Sequence, residues 1–334
     1  MPFIVVDRMA KSFRTQRPKG IASIIKSAFK REMETMEAIQ EISFSVEAGE
    51  MLGIIGPGSA GKTVLLKILA GILAPSSGGV LVNGLAPSKN QKQNAMRIGA
   101  VFDEKTHLHW KESVDDIFRL HQTMYQIPAH EFRRNRSRLI ELFDLGAILN
   151  QTAERLTGGE KMKANIALAM LHNPDALYLD EPMRKDTNTT RILREGIRTI
   201  NEEWNTAILF STRVMEDIAA VCERMLLLDE GTLLYDGGYG QFAMQYQMDS
   251  LIAMEFDTEP QWREHHRFSL VRAGEGRWIV RPAADLSRKD AFLALSHLYN
   301  PQSISVCAQR IDDVMENIRK GLPEGSPPGH PPKE

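Results

Sequence analysis

The sequence predicts an α/β fold built on a parallel β-sheet, followed by a smaller α+β unit. Three short apolar runs, at residues 176–179, 207–210 and 225–228, have the length and composition of buried strands. Helical stretches separate these runs, and this alternation is typical of a parallel sheet that is covered on both faces. After about residue 247 the pattern becomes strand-like with two later helices, which predicts a separate, ferredoxin-like α+β unit.

The composition is that of a globular protein and excludes several classes. The 334 residues are 43% hydrophobic and 25% charged, so the chain can bury a sizeable core. Its formal net charge of -2 argues against a dedicated nucleic-acid binder, which would normally carry a basic excess. Two cysteines are too few for a disulfide framework. No apolar run approaches the roughly 20 residues that span a bilayer, so we expect membrane contact only through a partner or a surface.

The first half of the chain is predicted to alternate between strands and helices. Two strand-like runs flank a long basic insertion, and a buried run then leads through a glycine-rich turn into an apolar helix. Pro75 and Gly78–Gly79 are expected to end that helix, and Asn83–Gly84 predicts a tight turn. From residue 113 to 170 the apolar spacing is helical. The other predicted elements are strands at 3–6, 42–46, 51–55 and 80–82 and a helix at 62–73.

The C-terminal unit is predicted as three strands, a helix, a strand and a final helix. The strands alternate apolar and polar residues, as expected for a sheet with one buried face. From about residue 321 the chain is rich in Pro and Gly and is expected to be disordered. The predicted strands are 251–256, 268–272, 278–281 and 303–308, and the predicted helices are 288–298 and 311–320.

A glycine-rich motif follows the strand at 51–55. It fits G-x-x-x-x-G-K-[ST], and its place between a buried strand and an apolar helix is the context that this motif requires. Small residues let backbone N–H groups close around phosphate oxygens, and the helix N-terminus adds a favourable dipole. Lys62 is expected to reach the terminal phosphates of a nucleotide, and Thr63 to bind Mg²⁺ through its hydroxyl. The predicted nucleotide-binding residues are Gly56, Pro57, Gly58, Ser59, Ala60, Gly61, Lys62, Thr63 and Val64.

Two adjacent carboxylates follow another predicted strand. Asp180 and Glu181 come directly after the apolar run at 176–179, at the strand end where an open α/β sheet binds its ligands. Asp180 is predicted to hold the Mg²⁺ shell, and Glu181 to polarise an attacking water. An acidic pair alone is often only a solvated loop, but its order after the phosphate motif favours nucleotide hydrolysis.

A third motif, Leu156-Thr157-Gly158-Gly159-Glu160, precedes an Ala-rich helix. The order of the three motifs resembles that of the ATP-binding cassette (ABC) ATPases, over residues 1 to about 240. The resemblance implies a P-loop NTPase cassette with antiparallel β and helical subdomains, and ATP and Mg²⁺ as its ligands. It also implies that Thr157, Gly158 and Gly159 face an ATP molecule bound to an opposing subunit.

Finer features resemble the ATPase subunits of ABC-2-type exporters. Phe13 lies where the family places an aromatic residue that stacks on adenine, although a core Phe on an edge strand would fit the same pattern. The other features are the segments 97–102, 109–110 and 169–174, the insertion before residue 38 and the C-terminal unit.

Four positions depart from the family pattern. Arg213 stands where the family has a switch histidine. It is expected to act on a γ-phosphate electrostatically, as a catalytic residue beside Glu181, but it cannot relay a proton because a guanidinium stays protonated. Asp103 or Glu104, depending on register, replaces an expected glutamine. The Asp expected in the loop after Glu181 is one position away, at Asp186, and the third motif ends in Glu160 in place of Gln.

Two interpretations of these departures remain open. They are either drift within a working ATPase or specialisation, in which this subunit binds ATP and pairs with a fuller cassette. Since Lys62, Asp180 and Glu181 are all retained, the pattern favours reduced hydrolysis over none, and specialisation is slightly favoured.

A basic segment at about residues 17–31 has apolar residues at helical spacing. It predicts either an amphipathic helix at the membrane surface or the transmembrane partner, or a helix packed on its own cassette.

The expected domains are a cassette at 1–245, with a helical subdomain at about 112–172, an α+β unit at 246–320 and a disordered tail at 321–334.

The function that the resemblance implies is the ATP-binding subunit of an exporter, at the cytoplasmic side of the inner membrane. It would act with a transmembrane permease subunit and a second cassette, in a homodimer or a heterodimer. The alternatives are a weak or regulatory cassette and, less favoured, a non-transport ABC protein.

Overall fold

The computed structural model describes residues 2–16, 33–102, 111–183, 187–245, 251–258, 260–263, 265–274, 276–283, 286–307, 311 and 314–315. It confirms the predicted fold class. The strands are β1 Ile4–Gln16, β2 Met33–Val46, β3 Met51–Ile55, β4 Ser77–Val82, β5 Ile98–Val101, β6 Ala176–Asp180, β7 Ala207–Thr212, β8 Arg224–Asp229, β9 Thr232–Gly238, β10 Leu251–Glu255, β11 Phe268–Gly274, β12 Arg277–Pro282 and β13 Ser303–Cys307. The helices are α1 Lys62–Leu69, α2 Gln91–Ala95, α3 Val114–Met124, α4 Ala129–Leu142, α5 Gly158–Met170, α6 Thr187–Trp204, α7 Met215–Val221, α8 Tyr239–Gln245 and α9 Arg288–Tyr299.

A six-stranded sheet forms the centre of the fold, in the order β5-β6-β7-β3-β8-β9. The first five strands are parallel and β9 pairs antiparallel with β8 at the edge. All residues of β6 and β7 are buried, as the continuous apolar runs predict for strands covered on both faces. The carboxyl ends of these parallel strands therefore meet along one edge of the sheet.

A three-stranded antiparallel sheet, in the order β2-β1-β4, packs against one side of the central sheet. Its inward side chains join those of α1 and of alternate residues of the central strands in one apolar cluster. A second cluster combines α3, α4, α5 and α6 with the other side chains of the same strands. The alternation of side chains in each strand thus divides the core into two layers.

The C-terminal sheet has the strand order β11-β12-β10-β13, with every neighbouring pair antiparallel. This is the sheet order of a ferredoxin-like fold, although no helix is present between β10 and β11 among the residues described there. Its inner face packs on α9 around Trp278 and Leu295. Ile311, Val314 and Met315, by contrast, are buried in the larger cluster that contains α3 to α6.

Some boundaries differ from the sequence predictions. Helix α1 ends at Leu69, earlier than the predicted Leu73, and Gly71 follows it with a left-handed φ of 78°. Gly78 and Gly79, which were expected to end that helix, lie inside β4. Asn83 and Gly84 both have positive φ, as the predicted tight turn requires.

Residues 17–32, which include the predicted basic helix, and residues 321–334 lie outside the described part of the chain. Within the described ranges, no helix is long and apolar enough to cross a bilayer.

Tyr178 gives a test of the packing around β6. Its side chain is fully buried, and its hydroxyl has no hydrogen-bond partner among the described residues. An unsatisfied buried hydroxyl costs stability, so Tyr178→Phe should stabilise the fold by about 1 kcal/mol and raise the thermal unfolding midpoint. Tyr235→Phe is the matched control, because the Tyr235 hydroxyl donates to the Gly238 carbonyl at 2.9 Å, and its loss should lower the midpoint. Equal losses of stability in both variants would contradict the assignment.

Candidate functional site

The phosphate loop, Gly56–Thr63, connects the end of β3 to the start of α1 in the middle of the central sheet. Its backbone passes close to two neighbouring segments. A Cβ atom on Gly56 would lie 2.1 Å from the Leu228 carbonyl oxygen, and one on Gly61 would lie 2.5 Å from the Ala38 carbonyl oxygen. Gly61 also has a left-handed φ of 93°. Both glycines are therefore required by the path of the loop.

Lys62 points back into the phosphate loop. Its side chain is only 3% exposed, and its ammonium group donates to the carbonyl oxygens of Gly56 at 2.6 Å and Pro57 at 2.8 Å. The Lys62 Nζ also lies 3.9 Å from the Glu181 carboxylate. A buried cation is thus held at the helix N-terminus, where the backbone dipole also favours an anion.

Asp180 links the phosphate loop to the strand ends. Its Oδ2 accepts a hydrogen bond from the Thr63 hydroxyl at 2.8 Å, and its Oδ1 accepts one from the Ser211 hydroxyl at 2.6 Å. Asp180 is 5% exposed. Hydroxyl and carboxylate oxygens are the ligands that Mg²⁺ takes in proteins, so Thr63 and Asp180 together form a donor set that fits this ion.

Glu181 adopts an unusual backbone conformation, with a φ of 46°. Its N–H group donates to the hydroxyl of Ser211 at 3.0 Å and to the carbonyl oxygen of Ser211 at 3.2 Å. Its Oε1 accepts a hydrogen bond from Arg213 Nε at 2.7 Å. The carboxylate is therefore held between two cations, Arg213 in direct contact and Lys62 farther away.

The switch loop, residues 212–214, is fixed by a hydrogen-bond chain that sequence reasoning missed. The Thr212 hydroxyl donates to Asp217 at 2.7 Å and accepts from the N–H of Val214 at 3.0 Å. Asp217, 2% exposed, also accepts from Arg194 at 2.6 Å. No sequence signal predicts that α6 contacts α7. Ser211, by contrast, could have been predicted as a site residue, because it lies at the end of a strand beside β6.

The signature turn, Thr157–Glu160, starts α5. The Thr157 hydroxyl accepts from the N–H of Glu160 at 3.3 Å, and the Glu160 carboxylate accepts from the N–H and the hydroxyl of Thr157, each at 2.8 Å. These bonds form a capping box, and they hold the pKa of Glu160 below its usual range. The Glu that departs from the family pattern thus has a structural role, which the spacing T-x-x-E could have revealed.

The two glycines of the signature turn have different surroundings. A Cβ on Gly159 would lie 2.6 Å from the Thr189 hydroxyl oxygen of α6. A Cβ on Gly158 would meet no described atom within 4 Å. Gly159 therefore serves packing between α5 and α6, while Gly158 leaves an open surface at the helix N-terminus.

The structure describes some of the remaining predicted site residues but not all of them. Phe13 is half-buried on β1, at a point where β1 pairs with β2 and which lies beyond the last pair of β1 with β4, at Ala10. The Lys11 Nζ lies 5.0 Å from the Phe13 ring centroid. Ser59 is exposed, Ala60 is buried and Val64 is half-buried in α1. The predicted contributions of Asp103, Glu104 and Asp186 concern positions outside the described residues.

Comparisons with known proteins agree with this geometry. A family model described as "ABC transporter" matches residues 39–184. The chain is 30% identical over 210 residues to the ABC transporter ATP-binding protein NatA of Bacillus subtilis, a match that covers 63% of this chain and 85% of NatA. It is 34% identical over 202 residues to the methionine import ATP-binding protein MetN of Coxiella burnetii, covering 59% of this chain and 57% of MetN.

Solved structures share the fold at low identity. One is an ATP-binding subunit of an ABC transporter, with a TM-score of 0.61 and 21% identity, covering 73% of this chain and 93% of that one. Another is the dimeric ATP-binding cassette MJ0796 in a post-hydrolysis state with ADP and Pi, with a TM-score of 0.59 and 20% identity, covering 71% and 98%. ATP-binding subunits of this kind are ATPases that use ATP with Mg²⁺, dimerise and pair with transmembrane permease subunits. The phosphate loop, the acidic strand end and the NatA match together show that this chain belongs to the ATP-binding cassette family of ABC transporter ATPases.

Proposed function

We propose that this protein is the ATP-binding subunit of an ABC-2-type export complex, with slow hydrolysis at its own site. The observation that carries the proposal is the hydrogen bond between Thr63 and Asp180, which joins the phosphate loop to the acidic strand end. Lys62 and the backbone N–H groups of residues 56–63 would hold the phosphates, Thr63 and Asp180 would hold Mg²⁺, and Phe13 would stack on adenine.

The slow-hydrolysis part rests on the surroundings of Glu181. As a general base, Glu181 would orient and polarise the attacking water, with Arg213 beside it. One of its oxygens is already bonded to Arg213, and a guanidinium can neither accept nor relay a proton at physiological pH. A weak or regulatory cassette paired with a second, active ATPase is therefore the alternative that this contact favours.

The signature turn supports a composite site between two cassettes. Thr157, Gly158 and Gly159 precede or begin α5, and the open space beside Gly158 allows close approach of another molecule. We expect these residues to face the nucleotide on a second cassette, identical or different. The dimeric structure of MJ0796 shows that a cassette of this fold forms dimers.

A second surface suits the permease subunit. The α3–α5 groove is lined by β5, α3 and α5, and it contains Leu120, Met124, His121, Tyr125 and His172. Leu120 and Met124 are 45% and 63% exposed and line the same groove, and neighbouring exposed apolar side chains often mark an interaction surface.

The floor of the groove is aromatic. The Tyr125 ring stacks against His121 and against His172, with centroids 4.2 Å and 4.1 Å apart. Burial lowers the pKa of His172 to about 4, so its imidazole is neutral at physiological pH. An apolar segment of a membrane subunit is the partner that fits this groove.

Direction and location follow from the same proposal. The methionine and sulfate/thiosulfate relatives are named as import proteins, and their matches cover 64% and 61% of this chain. The segments 97–102 and 169–174 and the C-terminal unit support export. We place the protein at the cytoplasmic side of the inner membrane, with residues 1–245 as the cassette, 112–172 as its helical subdomain and 246–320 as the α+β unit.

Lys62→Ala tests nucleotide binding. Loss of a buried cation that bonds the phosphates should weaken binding of ATP with Mg²⁺ at least about tenfold, measured by calorimetry. Lys67→Ala, five residues later in α1, is the control and should bind ATP like the parent protein. Unaltered ATP affinity in Lys62→Ala would contradict the assigned phosphate site.

Arg213→His tests slow hydrolysis. General acid–base groups contribute about 10²–10⁴-fold, but the other departures from the family pattern remain in this variant. The turnover number of the purified protein should therefore rise by less than about 10²-fold, and addition of a fuller partner cassette should raise it further. Fast turnover of the isolated protein, unaffected by Arg213→His, would show that the departures are drift.

Negative charges introduced into the α3–α5 groove test whether the permease subunit binds there. Leu120→Glu with Met124→Glu should reduce the fraction of the protein that sediments with membranes of cells producing the whole transporter, because carboxylates oppose burial in an apolar contact. ATP affinity should not change. Leu293→Glu, at an exposed Leu of α9, is the control. Sedimentation of the groove variant at the parent level would exclude this surface.

A further inference from the structure

We infer that Lys11 is a positioning residue for the base of the nucleotide: its ammonium group holds the Phe13 ring from one face and leaves the other face for adenine. The inference rests on the proposed ATP site and adds to it a residue that lies outside the three sequence motifs. It starts from one contact. The Lys11 Nζ lies over the Phe13 ring, 5.0 Å from its centroid, which is within the range of a cation–π interaction.

The Phe13 ring has little other support in the described part of the chain. It is half-buried and belongs to none of the three apolar clusters that the described residues form. Its cross-strand neighbour on β2 is Met36, whose side chain is 54% exposed. Lys11 is two residues away on β1, so the pleat of the strand directs both side chains to the same face. The orientation of the ring therefore depends on Lys11.

The ammonium group of Lys11 is itself held in place. It donates a hydrogen bond to the Ala74 carbonyl oxygen at 2.8 Å. The segment that contains Ala74 is bonded to β1 as well: the Ser76 N–H donates to the Ala10 carbonyl oxygen at 2.8 Å, and the Ser12 N–H donates to the Ser76 hydroxyl at 3.1 Å. The cation is thus fixed between a backbone carbonyl and the aromatic ring.

A bulge in β2 brings this part of β1 close to the phosphate loop. Between Lys11 and Ser12 the pairing of β1 with β2 skips Ala38, which is the extra residue of the bulge. The Ala38 carbonyl oxygen would lie 2.5 Å from a Cβ atom on Gly61. The strand that carries Phe13 is therefore held against the loop that would bind the phosphates.

The two faces of the ring then have different uses. Lys11 occupies one face, and a flat base can stack on the other. A ring that is already oriented in the free protein loses less conformational freedom when the base binds. Lys11 should therefore affect ligands that carry a base, and it should not affect a bare chain of phosphates bound by Lys62 and the loop amides.

The test compares two ligands by calorimetry with Mg²⁺. One is the non-hydrolysable ATP analogue adenylyl imidodiphosphate, and the other is inorganic tripolyphosphate, which has a phosphate chain but no base. Lys11→Met keeps an unbranched side chain and removes the charge. It should weaken binding of the analogue about three- to fivefold and change tripolyphosphate binding less than about twofold. Lys11→Arg should bind the analogue like the parent protein, because a guanidinium also stacks on aromatic rings.

Phe13→Leu supplies the second arm of a double-mutant cycle. It should weaken binding of the analogue, and Lys11→Met should cause no further loss in the Phe13→Leu background, because the ring on which Lys11 acts is absent. Lys67→Met is the matched control. The Lys67 Nζ also lies over an aromatic ring, that of Phe102 at 5.8 Å, but on α1. This variant should change neither affinity.

The outcomes separate this inference from the proposed function. The inference would be overturned, with a phosphate site still in place, by equal weakening of both ligands in Lys11→Met, by no weakening of either, or by an equal loss in Lys11→Arg. An undiminished effect of Lys11→Met in the Phe13→Leu background, or full analogue affinity in Phe13→Leu alone, would overturn it too. Failure of the parent protein to bind either ligand, or equal binding of both ligands by the parent and Lys62→Ala, would remove the proposed function as well.

Discussion

The alignment of strand ends at Ser211 is the constraint on which the site depends. Strand β7 lies between β3 and β6, and in its register Ser211 is opposite both Ile54 of β3 and Asp180 of β6. The Ser211 hydroxyl therefore bonds Asp180, whose other oxygen reaches past β7 to Thr63 at the start of α1. A slip of one residue in either pairing would turn these side chains to the opposite face of the sheet.

The charged groups at this edge balance one another. Lys62 and Arg213 supply two positive charges, and Asp180 and Glu181 supply two negative charges, within a network that also bonds hydroxyls and backbone carbonyls. Because the partners are near, Lys62 and Asp180 can be buried without an uncompensated charge. The two departures from the family pattern that the structure describes, Glu160 and Arg213, each have a bonded partner.

Sequence patterns predicted the central fold well because continuous apolar runs and glycine-rich turns carry a strong local signal. Lys62, Thr63 and Asp180 were predicted together, since chain order and strand ends determine their meeting. The contacts of Arg213 and Asp217 were not predictable, because they join separate elements and depend on side-chain reach. Helix α1 was predicted too long, since Ile72 and Leu73 look helical although a left-handed Gly71 precedes them.

Ile311, Val314 and Met315 are buried in the larger apolar cluster, and this affects where the chain can be cut into separate domains. Although they follow the C-terminal sheet in sequence, they belong to the same apolar cluster as residues of the cassette. The two folding units therefore overlap in packing, and a cut near residue 246 would remove atoms from a core on the other side of that cut. Such a cut would leave the nucleotide-binding unit with a defect in its own interior.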